Sequence, residues 1–154
     1  MNNKINLDEQ YDKIYRYCYF KLNRREAAED ITQETFLRYL KHYGDKMPEW
    51  DLRYLYRIAH NLCVDEFRRR VLEPLSEDLS EEDYAEKSIT ALWLRNAVGK
   101  LSEEEREILL LRYANEVPGS VICQMLGISR FALYRKMKNT LQKLRKELGE
   151  EEIY

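Results

Sequence analysis

The sequence is poor in the residues that break helices. It holds only five glycines and three prolines, and long segments contain neither. A turn-rich β fold needs more of both, so the shortage favours helices. Long apolar runs are missing as well. The longest aliphatic stretch, Ile108-Leu109-Leu110-Leu111, is far too short to cross a bilayer. The polar start, MNNKINLDEQ, lacks the apolar centre of a secretory leader. These absences predict a cytoplasmic protein with no direct membrane insertion.

Cysteine is scarce and scattered. Cys18, Cys63 and Cys123 form no Cys-x-x-Cys pair, and His42 and His60 lie near no such pair. Spacing therefore offers no zinc site, and the thiols are expected as small core residues in a reducing compartment. Catalytic groupings are also wanting. Glu29, Asp30, Gln33 and Glu34 crowd within two helical turns. Yet they have no companion histidine, no metal-ligand spacing and no glycine-rich phosphate loop. The sequence predicts no enzyme, no cofactor and no metal. A polar face for docking a partner suits these residues better.

What is present is charge, and it is segregated. The net charge is -2. Residues 71–105 hold three Lys/Arg against ten Asp/Glu, whereas residues 106–148 hold nine against three. Screening in the cell acts over about 8 Å, so a polyanion senses the local patch rather than the total.

Apolar periodicity divides the chain into helices. Tyr11, Ile14, Tyr15, Cys18, Tyr19 and Leu22 mark a first helix over 8–22. Ala28, Ile31, Thr35, Phe36, Leu37 and Leu40 mark a second over 25–43. The stretch GDKMP, 44–48, is a loop by its glycine and proline. A third helix runs from about Asp51 to Val71, with Leu52, Leu55, Tyr56, Ala59, Leu62, Cys63 and Phe67 as its apolar face. Residues 72–86, LEPLSEDLSEEDYAE, read as an acidic linker. Helices resume near Ser88, where Ile89, Leu92, Trp93, Asn96, Ala97 and Leu101 suit a packed helix. Ser102-Glu103-Glu104-Glu105 has the form of a capping box. Ile108 to Leu111 continue the next helix, and Pro118 suits the first turn of the short one after it. Ser129 can cap a last helix that ends near Leu148, before Gly149. The expected fold is all-α: an N-terminal helical domain over 1–71, a flexible acidic linker over 72–87, a second helical domain over 88–148, and an acidic tail over 149–154.

The second domain carries a helix-turn-helix pattern. Ile122, Met125 and Leu126 face inward, Cys123 is small enough for a close helix crossing, and Gly127 supplies the left-handed turn. Leu133, Met137, Leu141, Leu144 and Leu148 then form one apolar stripe. Arg130, Tyr134, Arg135, Lys138 and Asn139 fall largely off it. Such a second helix enters the major groove with its first turns toward the bases, while flanking cations hold phosphates.

The third helix combines rings with cations. Tyr54, Tyr56, Arg57, His60, Asn61, Arg68, Arg69 and Arg70 interleave the two. Flat rings beside a basic track are what single-stranded nucleic acid needs. The same tyrosines would serve equally as core or rim residues.

The segments AEDITQETFLR, LRYLYRIAHNLCVDEFRR, LSEEEREILLLRY and LGISRFALYRKMKNTLQKLRK together resemble the extracytoplasmic-function sigma factors of bacterial RNA polymerase. The resemblance runs from about Tyr11 to Leu148 in the family's order. It implies a promoter-specificity subunit that binds core RNA polymerase and directs transcription initiation. It implies that Asp30, Gln33, Glu34 and Phe36 dock on the polymerase clamp. Trp50, Tyr54, Tyr56, Arg57, His60, Asn61, Arg68 and Arg69 would open and read the minus-ten element. Arg130, Tyr134, Arg135, Lys138 and Asn139 would read the minus-thirty-five element. Promoter DNA, duplex and melted, and an anti-sigma factor are the further partners implied. The chain departs from the family pattern at Tyr54, usually Trp; at His60, often basic; at Ser120 and Val121, usually acidic; at Phe131-Ala132, usually Gly-Thr; and at Arg135, often Ser.

Two other readings compete. A stand-alone helix-turn-helix regulator would usually dimerise on a palindrome and needs no single-strand platform. A helical protein-binding adapter would not need so basic a last helix.

Overall fold

The computed structural model describes residues 7–44, 50–72 and 95–149. The chain forms two compact units, Met1–Ser80 and Glu81–Tyr154. The division falls among residues 73–94, so the proposed linker lies outside the described residues. So do most of the loop 44–48, the residues Ile89, Leu92 and Trp93, and the acidic tail. No strand occurs among the described residues.

The first unit packs three helices against one another: α1 (Leu7–Leu22), α2 (Arg25–Tyr43) and α3 (Leu52–Leu72). Asn23 makes the turn from α1 to α2 at φ 59, a left-handed conformation that Asn tolerates better than most residues. Its N–H donates to the carbonyl of Tyr19 at 2.6 Å. On α2 the buried face is built largely of small residues, Ala27, Ala28, Thr32 and Thr35, with Ile31, Phe36 and Tyr39. The two threonine hydroxyls are buried and donate back along the helix, Thr32 to Ala28 at 2.6 Å and Thr35 to Ile31 at 2.7 Å. Each is thereby satisfied along its own helix, and Thr32 also hydrogen-bonds Cys18 of α1. Ile14, Tyr17 and Cys18 of α1 and Leu55, Tyr56, Ile58, Ala59 and Cys63 of α3 complete the core.

Several expected core residues are outside. Leu37 and Leu40 are exposed on α2, and Phe67 is exposed on α3. Tyr39 and Ile58 take the places in the core that periodicity had given to them. Small residues fill the inward side of α2, so its largest aliphatic side chains do not mark the buried side.

In the second unit residues 95–99 are helical; Ala97, Val98 and Leu101 are buried, while Asn96 is exposed. Ser102 then caps α4 (Glu103–Leu109) with the full capping box: its hydroxyl accepts from the N–H of Glu105 at 3.1 Å, and Glu105 accepts from the N–H of Ser102 at 2.9 Å. The helix runs on as a π turn, Leu110–Ala114. The N–H of Asn115 donates to Leu110, and that of Val117 to Leu111. Both Asn115 and Val117 are buried. The short α5 (Gly119–Leu126) follows. Pro118 is its cap, one residue before the first helical position, and its carbonyl accepts from Val121 and Ile122. Gly127 closes α5 at φ 69, where a side chain would be strained. Ser129 caps α6 (Arg130–Leu148) by accepting from the N–H of Ala132 at 3.1 Å, and Gly149 ends α6 at φ 71.

Leu133 and Thr140 are the buried residues of α6. Met137, Leu141, Leu144 and Leu148 are half-buried, as are Met125, Leu126 and Cys123. Cys123 is therefore not a core thiol, whereas Cys18 and Cys63 are. Cys18 accepts and shares a hydrogen bond with Cys63, which chiefly holds its thiol pKa below the ordinary value despite burial.

Candidate nucleic-acid interface

Three surfaces gather the expected site residues. On α2, Asp30 and Gln33 are exposed and Glu34 is half-buried, its carboxylate paired with Arg38 at 2.8 Å. Asp30, Gln33, Leu37 and Leu40 recur at i, i+3, i+7 and i+10, which puts them on one exposed strip. Phe36 is not part of that strip. It is buried, stacked on Tyr11 at 5.3 Å and edge-on to Trp50 at 5.9 Å. Its ring holds α1, α2 and the start of α3 together, so it supports a docking face rather than forming one. Leu37, 64% exposed, is the more open of the two apolar residues on this face. Periodicity had assigned it to the core.

The second surface lies where α2 ends and α3 begins. Asp51 organises it. Its Oδ1 accepts from the N–H of Tyr54 at 3.2 Å, which caps α3. Its Oδ2 accepts from the hydroxyl of Tyr43 at 2.5 Å, and its own N–H donates to the hydroxyl of Tyr39 at 2.6 Å. The hydrogen bond to the Asp51 carboxylate, helped by burial, pushes the Tyr43 pKa up to about 12. Burial likewise raises that of Tyr39.

Rings converge around this carboxylate. Trp50 stacks on Tyr39 at 5.0 Å and 28°. Tyr54 lies 4.6 Å from His42 and 5.9 Å from both Tyr39 and Tyr43. Trp50 and Tyr54 stay half-buried, so each ring keeps an open part. The sequence reading missed Asp51, Tyr39, Tyr43 and His42 as members. An aspartate three residues before Tyr54, at a helix start, was the available signal.

Further along α3, Arg57, Asn61 and Arg68 are exposed and recur at i, i+4 and i+11, on one strip with Tyr54. Arg69 is exposed but bonded to Glu66 at 2.9 Å, and Arg68 lies 4.0 Å from Asp65. Burial opposes the charge on Glu66, but its bonds to Arg69 and Arg70 prevail and hold its carboxyl below the usual range. Two expected residues face the other way. Tyr56 is 1% exposed and meets Tyr17 edge-on at 5.3 Å, so it is core. His60 is half-buried, its Nδ1 at 3.3 Å from the hydroxyl of Tyr17. Both sit on the side of α3 that packs on α1.

The third surface is α6. Arg130, Tyr134, Arg135, Lys138 and Asn139 are all exposed, and Arg130, Arg135 and Lys138 make no ion pair with any described residue. Other cations are tied within the unit. Lys136 bonds Glu104 at 3.0 Å, Lys143 bonds Glu105 at 2.7 Å, and Lys100 bonds Glu147 at 3.2 Å. The Lys143 bond, with the N–H of Ser102, holds the Glu105 carboxyl below its ordinary pKa. The first turn of α4 thus neutralises the middle of α6 and leaves its first two turns cationic. Phe131, unassigned by the sequence reading, is 78% exposed among them.

Comparison with known families decides between the readings. The Sigma-70 region 2 model matches residues 7–72, and the Sigma-70 region 4 model matches residues 91–148. The chain belongs to the sigma-70 family, in its extracytoplasmic-function group.

This sigma factor is 28% identical to SigW of Bacillus subtilis, an ECF RNA polymerase sigma factor, with 92% of this chain and 86% of SigW covered. It is also 28% identical to the ECF sigma factor BldN of Streptomyces coelicolor, over 82% of this chain; the match spans 52% of BldN. Its fold is similar to that of the sigma factor RpoE from Bartonella quintana, solved in complex with the anti-sigma factor NepR. The TM-score is 0.65 at 16% identity, with 90% of this chain and 91% of that one covered. Region 2 thus coincides with α1–α3, and region 4 contains α4–α6. No helix among the described residues is long and apolar enough to cross a membrane.

Proposed function

We propose that this sigma factor works in the cytoplasm as a non-enzymatic, dissociable subunit of RNA polymerase. The strip Asp30, Gln33, Leu37 and Leu40 docks on core polymerase. The rings of Trp50 and Tyr54, with Arg57, Asn61 and Arg68 beyond them, take the melted minus-ten strand. The open first turns of α6, with Arg130, Tyr134, Arg135, Lys138 and Asn139, enter the major groove of the minus-thirty-five element. An anti-sigma factor is the expected inhibitor. Residues 1–71 and 88–148 are the two working domains.

One observation carries the reading. A unit with a docking strip and a half-open aromatic cluster occurs in the same chain as a unit with a cationic helix-turn-helix. A stand-alone regulator has no use for the first, and an adapter has none for the second. The physical division of labour follows. Stacking tolerates any base and suits an unpaired strand, whereas a helix in the major groove distinguishes all four base pairs.

The test is reconstitution. Core RNA polymerase with this chain should initiate at promoters selected from a random library, and core alone should not. Binding of the same DNA by the chain without polymerase, with no promoter-dependent transcript on adding core, would support a stand-alone regulator instead.

A further inference from the structure

Phe131 is the most exposed large apolar side chain among the described residues. Folding does not ask for it. It stands at the second position of α6, on the side away from Leu133 and Thr140, the buried residues of that helix. Arg135, Lys138 and Gln142 follow it at i+4, i+7 and i+11, all exposed. The four form a single outward strip. Tyr134, 63% exposed, flanks it.

The strip's composition says what it meets. A surface for an apolar protein partner groups apolar side chains. Here one ring leads two cations, Arg135 and Lys138, that have no acidic partner among the described residues. That arrangement is complementary to a polyanion that presents an isolated apolar group. Duplex DNA does so at one place in the major groove, the C5-methyl of thymine. A helix-turn-helix brings the N-terminal residues of its second helix nearest the base edges, and Phe131 is among the first of them.

We propose that Phe131 selects thymine in the upstream promoter element by packing its ring on the thymine methyl. The inference rests on the assignment of α6 to that element. Phe131 supplies apolar discrimination at one base pair, and Arg135, one turn further on, supplies hydrogen bonds at a neighbouring one.

The test uses core RNA polymerase reconstituted with the full chain. Promoters randomised over the upstream element are selected for binding. Each selected thymine is then replaced singly by deoxyuridine, which removes the methyl and nothing else. One thymine should respond, with binding weakened about fourfold, the effect of one buried methyl group. Phe131→Ala should bind the thymine and uracil forms equally and cease to select thymine there. Phe131→Leu, still apolar, should keep the sensitivity, and Arg135→Ala should keep it too. Wild-type indifference to uracil at every thymine overturns the inference, as does Phe131→Ala retaining the wild-type response. If Arg135→Ala and Lys138→Ala weaken binding while Phe131→Ala changes nothing, the thymine contact alone falls. If none of the three changes binding, the assignment of α6 falls and takes this inference with it.

Discussion

Tyr43 donates its hydroxyl hydrogen to Asp51 at 2.5 Å, so the last residue of α2 is tied to the residue that caps α3. Because the bond requires the protonated phenol, folding raises the Tyr43 pKa to about 12 from 10.0. The sign follows from linkage. The stabilisation is complete below pH 10, where tyrosine in the unfolded chain is also protonated. It is lost as pH rises from there through the folded value. Melting temperatures measured from neutral to strongly alkaline pH should therefore fall less for Tyr43→Phe than for the wild type. Parallel curves for the two proteins would show that the bond does not couple folding to this proton.

On α2 one substitution should separate docking from stability. Asp30→Arg changes an exposed residue and should lower affinity for core polymerase while leaving the melting temperature within a degree or two of wild type. Desolvated interfacial charges of this kind are worth about 2 kcal/mol or more. Phe36→Ala removes a buried ring and should cost about 3–5 kcal/mol of stability. Thermal melts beside a titration of core polymerase read both effects. Normal core affinity in Asp30→Arg would remove the docking assignment.

The two tyrosines of α3 should part in the same manner. Tyr54→Ala should slow open-complex formation by the equivalent of about 1–3 kcal/mol, the worth of one base stacked on a ring, and a pre-melted template should restore it. Tyr56→Ala should instead lose thermal stability, because that ring is sealed against Tyr17. Permanganate footprinting of the promoter distinguishes them. An unfolded Tyr54→Ala protein, or one indifferent to pre-melting, would place Tyr54 in the scaffold.

The cations of α6 should not contribute equally to salt dependence. Lys138 is open, and its replacement by Ala should reduce the salt slope of upstream-element binding by about one unit if it meets a phosphate. Lys143 is bonded to Glu105, so Lys143→Ala should leave the slope unchanged. Arg135→Ala should flatten preference at one or two base pairs, since one bidentate contact to guanine contributes about 1–3 kcal/mol of discrimination. Binding at several salt concentrations checks all three. A slope that falls in Lys143→Ala would mean that the pair opens on DNA.

Local chemistry made much of this fold legible. Ser102 with Glu105, Ser129, Gly127 and Gly149 are capping and turn residues whose roles depend on their immediate neighbours, so their helix ends lie where sequence placed them. Burial was harder to read. Leu37, Leu40 and Phe67 have the right spacing for a core face, yet two neighbouring helices decide which face of α2 or α3 is covered. That depends on residues distant in the chain. Periodicity did set Tyr56 and Phe36 on the apolar faces of α3 and α2, where they are buried; the outward roles came with the resemblance. The aromatic cluster escaped because its centre, Asp51, joins residues from two helices. The cationic character of α6 was visible, but the neutralisation of Lys136 and Lys143 was not, since Glu104 and Glu105 come from another helix.

The π turn at Leu110–Ala114 bears on how this unit tolerates changes in chain length. Such a turn is an α-helix accommodating one residue more than its regular pitch. Deleting a residue from an ordinary helix rotates everything beyond it by about 100° around the axis. Here the spare residue is already absorbed, and the wide turn delivers Asn115 and Val117 into the interior. Removing one residue from 110–114 would restore regular winding and withdraw those two from their places. The extra residue of this segment is therefore a structural part of the entry to the helix-turn-helix, which is built around it.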